Sequence, residues 1–421
     1  MSKAIRNCTL RLYPTAKQAR QLESWLELHR LLYNQSLAER RDAWCEGKRS
    51  ASYNEQQNAL PAMKEEKPWY LPLGSHALQE TVRRVDRGFK AFFRRLKSGQ
   101  KPGYPRFKAK DRFDSFTYPC VAGWKLTELS SGRGVLAVTN LGHIKLRGTC
   151  RVNLLGLDRK QMTCCTIRRN RGKWYTTITY HTTLSALARP VAEDPESMTG
   201  LDAGLKSLGV LADGTEILRK RHLNEDAAMI KAASRSISRK MKGSANRRKA
   251  VRELSRIHGR VANRRKDYLD KTAAKIVSTT SFLAVEDLAV KNMMAKGGMW
   301  KRGLNKSMAD AALGRFLIIL GYKAEEAGCQ FVRVNPRGTT QDCSRCGETV
   351  LKTLSDRIHN CPHCGLVMDR DQNAAINILF RGLALAGREP SAVWRDVRLG
   401  PKAEQSRRST KPHQCVMHSC G

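Results

Sequence analysis

Two Cys-x-x-Cys pairs, Cys343/Cys346 and Cys361/Cys364, stand fourteen residues apart near the end of a 421-residue chain. Four thiolates at that spacing can close a tetrahedral Zn2+ site built from two knuckle turns. Protein would fill every coordination position, so the ion is expected to be structural, with no open position for chemistry. Gly347 and Gly365 each follow the second cysteine of a pair, where a knuckle often needs a residue tolerant of positive φ. A second set of residues suits different chemistry. Asp202, Glu286 and Asp371 each lie beside an apolar run, in GLDAGLKSLGVL, FLAVEDL and DRDQNAAINIL. Carboxylates hold hard divalent cations such as Mg2+, and phosphodiester hydrolysis by two such ions needs an acidic cluster of this kind. The metals would align a water and stabilise the leaving 3′ oxygen. Spacing alone leaves Asp369 open as an alternative to Asp371. Asp371 would sit at a helix start, where Asn373 can fix local backbone and Ala374 and Ala375 allow close packing on a sheet.

Across the whole chain, 77 Lys+Arg against 38 Asp+Glu give a formal net charge of +39. Such a charge predicts a polyanionic partner. No run approaches the roughly 18 apolar residues of a membrane span, and the stretch MSKAIRNCTLRLYP lacks the apolar region of a secretory leader. Nucleic acid rather than membrane is therefore the expected partner, and the cytoplasm the expected place. The chain has 13 cysteines. Those outside the two pairs are scattered and odd in number, which suits a reducing compartment.

The elements that would carry these groups can be placed in order. Ile5 to Leu12 alternates as a strand, and Thr15 with Gln18 forms a capping box. Leu22, Trp25, Leu26, His29, Leu32 and Tyr33 then recur at helical spacing, giving an amphipathic helix to about Trp44. Residues 46–74 read as broken helix and loop. Leu78, Val82, Val85, Phe89, Phe92, Phe93 and Leu96 form a second helical stripe. Its opposite face carries Gln79, Arg83, Arg84, Arg87, Lys90, Arg94 and Arg95, charges of nearly one sign that suit phosphate contact. Residues 102–183 predict short strands, at 135–139, 143–146, 164–169 and 174–180, in a small antiparallel barrel or sandwich, with turns at 140–142 and 170–172. Residues 186–197 read as a linker. From Thr199 the order is strand, strand, a long basic helical region (223–278), the buried strand 282–285, a helix over 310–326 and the strand 330–334, an α/β core.

Four segments in combination, LDAGLKSLGVLADG, AVEDLAVKNM, VNPRGTTQDCSRCG and CPHCGLVMDRDQNAAINIL, resemble the split RuvC-like nuclease and zinc ribbon of the TnpB family. These are RNA-guided endonucleases of insertion-sequence transposons, related to miniature type V CRISPR effectors. RLYPTAKQARQL and LQETVRRVDRGFKAFFRRLKSGQKPGYPRFK resemble the family's N-terminal half, so the likeness covers about residues 5–382. The resemblance implies an α+β multidomain chain: a RuvC-like (RNase H-like) α/β nuclease with an inserted zinc ribbon, a β-barrel wedge and a helical recognition domain. It implies a wedge from residues 1–12 and 116–197, a recognition domain over 13–115, nuclease segments at 198–336 and 369–386, and a target-nucleic-acid-binding ribbon at 337–368. Residues 387–421 would be a basic, disordered tail, whose His413, Cys415, His418 and Cys420 fit no zinc spacing. The resemblance matches Asp202, Glu286 and Asp371 to catalytic, Mg2+-binding carboxylates, and Arg357 to a basic residue at the scissile strand. It implies a guide RNA from the transposon end and double-stranded target DNA read beside a short motif. Gln79 is a candidate for base contact, since Gln can bond bidentately to adenine, with Arg83, Arg84 and Arg87 around it. A monomer or weak dimer is expected. Two other readings compete: a nuclease-inactive RNA-guided repressor, which would have lost an acidic residue, and a transposase or its accessory, which also uses carboxylates but needs no bound RNA.

Overall fold

The computed structural model describes residues 3–150, 153–158, 160–183, 197–295, 297–353 and 355–388. The chain divides into two compact units, residues 1–187 and 188–421. The expected linker falls almost wholly on residues 184–196, and the His/Cys-containing tail on residues 389–421; both lie outside the described residues.

The first unit opens on strand β1 (Lys3–Tyr13) and helix α1 (Ala16–Gly47). The Thr15–Gln18 capping box forms, with Gln18 N donating to Thr15 Oγ1 (3.3 Å) and Thr15 N to Gln18 Oε1 (3.0 Å). The residues read as the apolar stripe of α1, from Leu22 to Tyr33, are buried. Short helices α2 (Tyr53–Asn58) and α3 (Leu60–Glu66) precede α4 (Ser75–Lys97). Six strands follow: β2 (Ser115–Tyr118), β3 (Trp124–Ser130), β4 (Arg133–Val138), β5 (Gly142–Arg147), β6 (Met162–Asn170) and β7 (Lys173–Thr183). The turn expected at 170–172 has Arg171 and Gly172 at φ 51° and 72°, the left-handed pair that joins strands of matching twist.

All the pairings in this sheet are antiparallel, in the order β2-β6-β7-β1-β5-β4-β3. β1 is its centre, with Leu12 opposite Trp174 on one side and Leu146 on the other. The first strand of the chain thus completes a sheet whose other strands come a hundred residues later. Among the described residues β2 and β3 do not pair, so strand pairing gives one open antiparallel sheet where the residues predicted a barrel or sandwich and the resemblance a barrel.

In the second unit β8 (Met198–Asp202), β9 (Gly209–Leu211) and β10 (Glu216–Ile217) lead to α5 (His222–Glu225), α6 (Ala227–Ser238) and α7 (Ala245–Ser278). The single helical region expected over 223–278 is broken. Gly243 takes φ 85°, and Ser244 caps a fresh helix by accepting from Arg247 N (3.1 Å). Then come β11 (Phe282–Glu286), α8 (Val290–Met293), α9 (Met299–Ala311), α10 (Leu313–Ala327), β12 (Gln330–Val334), the ribbon strands β13 (Ile358–Asn360) and β14 (Val367–Asp369), and α11 (Arg370–Leu385).

The five-stranded sheet runs β10-β9-β8-β11-β12, with β8, β11 and β12 parallel. Every residue of β11 is buried, as a strand covered on both faces requires. Leu283 and Val285 join the core with α7 and α10; Phe282 and Ala284 join the core with α11. α11 lies so close to β8 that a Cβ on Gly200 would stand 2.0 Å from the Ala375 carbonyl oxygen and 2.7 Å from Leu379 N. Backbone cannot yield as a side-chain tip can. Gly200→Ala should therefore push α11 off the sheet and destabilise the protein by about 3 kcal/mol, read as a lower thermal midpoint; an unchanged midpoint would refute the tight packing.

Candidate active site and metal centre

The acidic site is positioned by strand register. β8 and β11 run parallel with Leu201 opposite Val285, so the next residue of each strand, Asp202 and Glu286, falls at the carboxyl end of neighbouring strands. That edge is where open α/β sheets place their ligands. Asp371 comes from the first turn of α11. Asp369 is the N-cap of that helix, its Oδ1 accepting from Asp371 N (2.8 Å) and Gln372 N (3.2 Å). One carboxylate starts the helix, and the other stands on its first turn.

Glu286 is buried, and so is Thr339, whose hydroxyl donates to Glu286 Oε1 at 2.5 Å. Burial pushes the Glu286 carboxyl up, while the Thr339 hydrogen bond and the Arg381 charge oppose the rise. The Asp202 carboxyl is pushed up to about 8, first by burial, then by the charges of Glu286 and Asp371, with Arg370 opposing. Glu286 and Asp371 both raise the proton affinity of Asp202, as neighbouring anionic groups do, and carboxylate oxygens grouped in this way are hard donors that fit Mg2+. They are not drawn together as tightly as the cysteines, which among the described residues are the group whose ligand atoms all lie within 4.8 Å of one another.

Cys343 Sγ lies 3.6 Å from Cys364 Sγ, and Cys346 Sγ 3.6 Å from Cys361 Sγ. Disulfides would need about 2.05 Å, whereas tetrahedral Zn–S bonds of about 2.3 Å put sulfurs roughly 3.8 Å apart. The two knuckles repeat one backbone pattern. Gly347 N donates to Cys343 O (2.9 Å) and Gly365 N to Cys361 O (3.0 Å), with Gly347 and Gly365 at φ 81° and 69°. Burial acts to raise the Cys361 thiol, but backbone N–H groups of Cys364 and His363, together with hydrogen bonds from Cys346 and Cys343, hold the group down to about 6. The donors, spacing and thiolate-favouring N–H groups fit Zn2+.

The ribbon is fastened to the acidic site. Asn373 accepts from Ser344 N (3.0 Å) and donates to Asp342 O (2.8 Å); Asn377, one turn on, donates to Asp342 O (2.7 Å) and Thr339 O (2.9 Å). The helix that carries Asp371 therefore also holds the first knuckle and the loop supporting Glu286. Thr339, Asn377, Arg370 and Arg381 escape sequence reasoning, although two asparagines one turn apart in the apolar NAAINIL were a legible signal. Thr339→Val keeps the side-chain shape and removes the hydrogen bond to Glu286. Loss of such a supporting contact should slow metal-dependent chemistry at this site about tenfold or more with the fold intact, and an unchanged rate would show the contact to be dispensable.

Arg357 is exposed, and its carbonyl accepts from Arg370 N (2.8 Å) beside the β13–β14 pair. Ribbon pairing thus fixes Arg357 opposite the residue before Asp371. Among the described residues its guanidinium has no ion-pair partner. On α4, Gln79 is half-buried, Arg83 is exposed and donates to Tyr53 OH (3.0 Å), and Arg87 pairs with Glu80. Arg84 departs from the expected phosphate-facing role. It donates to Ser115 O (2.5 Å) and Thr117 Oγ1 (2.8 Å), pinning α4 to β2. The sequence could not place it, because a helical wheel does not record a strand packed beside its polar face.

A chain of two α+β units, one bearing a carboxylate-ended sheet and a four-cysteine ribbon, defines a class that known proteins make specific. Residues 177–296 match a family model described as "Probable transposase" (OrfB_IS605), residues 1–49 the associated helix-turn-helix domain, and residues 314–378 the Cas12f1-like TNB domain. In this chain residues 1–49 hold one strand and one 32-residue helix rather than two helices about a turn. A Streptomyces pristinaespiralis protein named "Putative RNA-guided DNA endonuclease" is 32% identical over 391 residues, covering 91% of both chains. InsQ of Escherichia coli K12, with the same descriptive name, is 29% identical over 396 residues, covering 91% of this chain and 94% of its own. The solved mini-RNA-guided endonuclease CRISPR-Cas_phi3 shares the fold with a TM-score of 0.54 at 8% identity, covering 89% of this chain and 92% of that one. The chain belongs to the TnpB family of RNA-guided DNA endonucleases.

Proposed function

We propose that this protein is an RNA-guided, Mg2+-dependent DNA endonuclease of RuvC type, selecting double-stranded DNA through a transposon-derived guide and a short adjacent motif. The observation that carries the reading is the convergence of Asp202, Glu286 and Asp371 from two parallel strand ends and a helix start, with the charge of each felt at Asp202. Bound Mg2+ would supply an activated water and charge stabilisation at the leaving oxygen. Asp202, Glu286 and Asp371 would hold the ions, Thr339 would keep Glu286 oriented, and Arg357 would brace a phosphate of the cut strand with its forked guanidinium. Cys343, Cys346, Cys361 and Cys364 would hold a structural Zn2+ that keeps the ribbon, and with it Arg357, beside the acids. The sheet built from β1 and residues 115–183 would serve as the wedge, and α1–α4 as the recognition domain with Gln79 and Arg83 toward the DNA. All three acids are present, which favours a cutting enzyme over a nuclease-inactive repressor. No helix among the described residues is long and apolar enough to cross a membrane.

The test is whether the purified protein carries a discrete RNA and, loaded with it, cuts matching plasmid in Mg2+. A protein that moves DNA ends with no bound RNA would favour a transposase. Guide binding should also be electrostatic. The excess of cationic over anionic side chains predicts that affinity falls steeply with salt, each phosphate contact adding about −0.7 to −0.9 to the log–log slope. Flat affinity between low and moderate salt would contradict a phosphate-held RNA.

A further inference from the structure

The far end of α4 abandons its own apolar stripe. Leu78, Val82 and Val85 are buried, but Phe93 and Leu96 are 53% and 55% exposed, and the segment that follows leaves Tyr104 (48%) and Phe107 (47%) in solvent. Residues 101–109 form no helix or strand, yet they are fastened to α1. Lys108 N donates to Asn34 Oδ1 (2.8 Å), and the Lys108 carbonyl accepts from Asn34 Nδ2 (3.0 Å) and Arg30 Nη1 (2.9 Å). Tyr104 stands edge-on to both Phe89 and Phe92, with centroids 5.5 Å apart in each pair. Phe107 has the Arg41 guanidinium 5.4 Å from its ring centroid. Exposed rings forgo apolar burial, and these are held in place rather than frayed.

The surrounding charge selects the occupant. Between Lys90 and Arg112 the only acidic residue is Asp111, while Arg94, Arg95, Lys97, Lys101, Arg106 and Lys110 are all basic. A second copy of a chain with net charge +39 would bring like charge to the same patch, and a membrane offers no flat ring to stack. Nucleic acid offers anionic phosphates and π-faces together, and the faces are free where bases are unpaired. We propose that Tyr104 and Phe107 form a stacking platform for unpaired nucleobases, with Arg106 and Lys110 taking the flanking phosphates. The proposal rests on the reading of the chain as a nucleic-acid enzyme and adds to it a site for single-stranded nucleic acid, whether an unpaired stretch of RNA or an opened DNA strand.

The test uses full-length protein and short single strands, oligo-uridine and oligo-thymidine, each beside an abasic strand of the same length and backbone. Wild type should bind the base-bearing strands more tightly. Tyr104→Ala/Phe107→Ala should lower affinity for a base-bearing strand roughly tenfold per ring while leaving the abasic strand unaffected. Tyr104→Phe/Phe107→Tyr should keep the preference. A preference lost in the uridine series alone identifies RNA as the ligand, and in the thymidine series alone DNA; either supports the platform. Unchanged discrimination in the alanine variant, an equal loss on both kinds of strand, or a selective loss of binding to anionic lipid vesicles would overturn it. Guided cleavage is not the readout, so failure here leaves the catalytic assignment standing.

Discussion

Asp202→Ala is expected to lower the rate of guided DNA cleavage by at least about a thousandfold while leaving RNA and target binding close to wild type. The argument is one of placement. Asp202 ends β8 beside Glu286 on β11, and its proton affinity is raised by burial and by both other acids. A group so placed destabilises its own charged form unless a cation balances it. Asp202 would therefore serve a bound cation and the transition state more than the fold. Alanine would remove one hard ligand and the transition-state stabilisation that depends on it, whereas guide and target, on the proposed reading, would be held by cationic surface elsewhere in the chain. Single-turnover cleavage in Mg2+ measures the effect. Loss of cutting together with binding would mark a folding defect instead.

Cys361→Ser should empty the ribbon of zinc and unfold it locally. Cys361 is 1% exposed and sits in a knuckle whose N–H groups favour thiolate. A hydroxyl is a far poorer ligand, and structural zinc supplies on the order of 10 kcal/mol to small sites of this type. Metal analysis of the purified variant should fall from one equivalent toward none, with increased proteolysis between residues 337 and 368. Cleavage should fall as well, because the ribbon holds Arg357 next to Arg370 and is stitched to α11 by Asn373 and Asn377. A variant that retains one full equivalent of zinc would refute the four-cysteine assignment.

Much of this was legible in the sequence where one local rule decides the outcome. The capping box at Thr15, the stripe of α1, the apolar run of β11 that ends at Glu286 and the glycines of the knuckles all emerged as read, since each depends on neighbours a few residues away. What stayed hidden depends on contacts distant in sequence. The residues of β1 themselves gave no sign that it would sit at the centre of a sheet built from residues 115–183; the grouping of residues 1–12 with 116–197 came from the family resemblance alone. Arg84 reads as one more surface cation until β2 is seen to lie beside it. The break at Ala312 in the α9–α10 region has φ 54° at a residue type that does not announce a left-handed turn. At the site, residue types and spacing pointed to Asp202, Glu286 and Asp371, but the partners that steady them come from remote loops. Thr339 and Glu286 are 53 positions apart in the sequence, and no periodicity encodes such a contact.

The central claim is that these three carboxylates make one catalytic centre distinct from the binding surfaces. The measurement is guided cleavage of a matching plasmid in Mg2+, beside a gel shift of the same complexes, for wild type and the single variants Asp202→Ala, Glu286→Ala and Asp371→Ala. The expected result is that all three variants shift target DNA as wild type does and none cuts it. Wild-type cutting by any one of them would remove that residue from the centre and contradict the account.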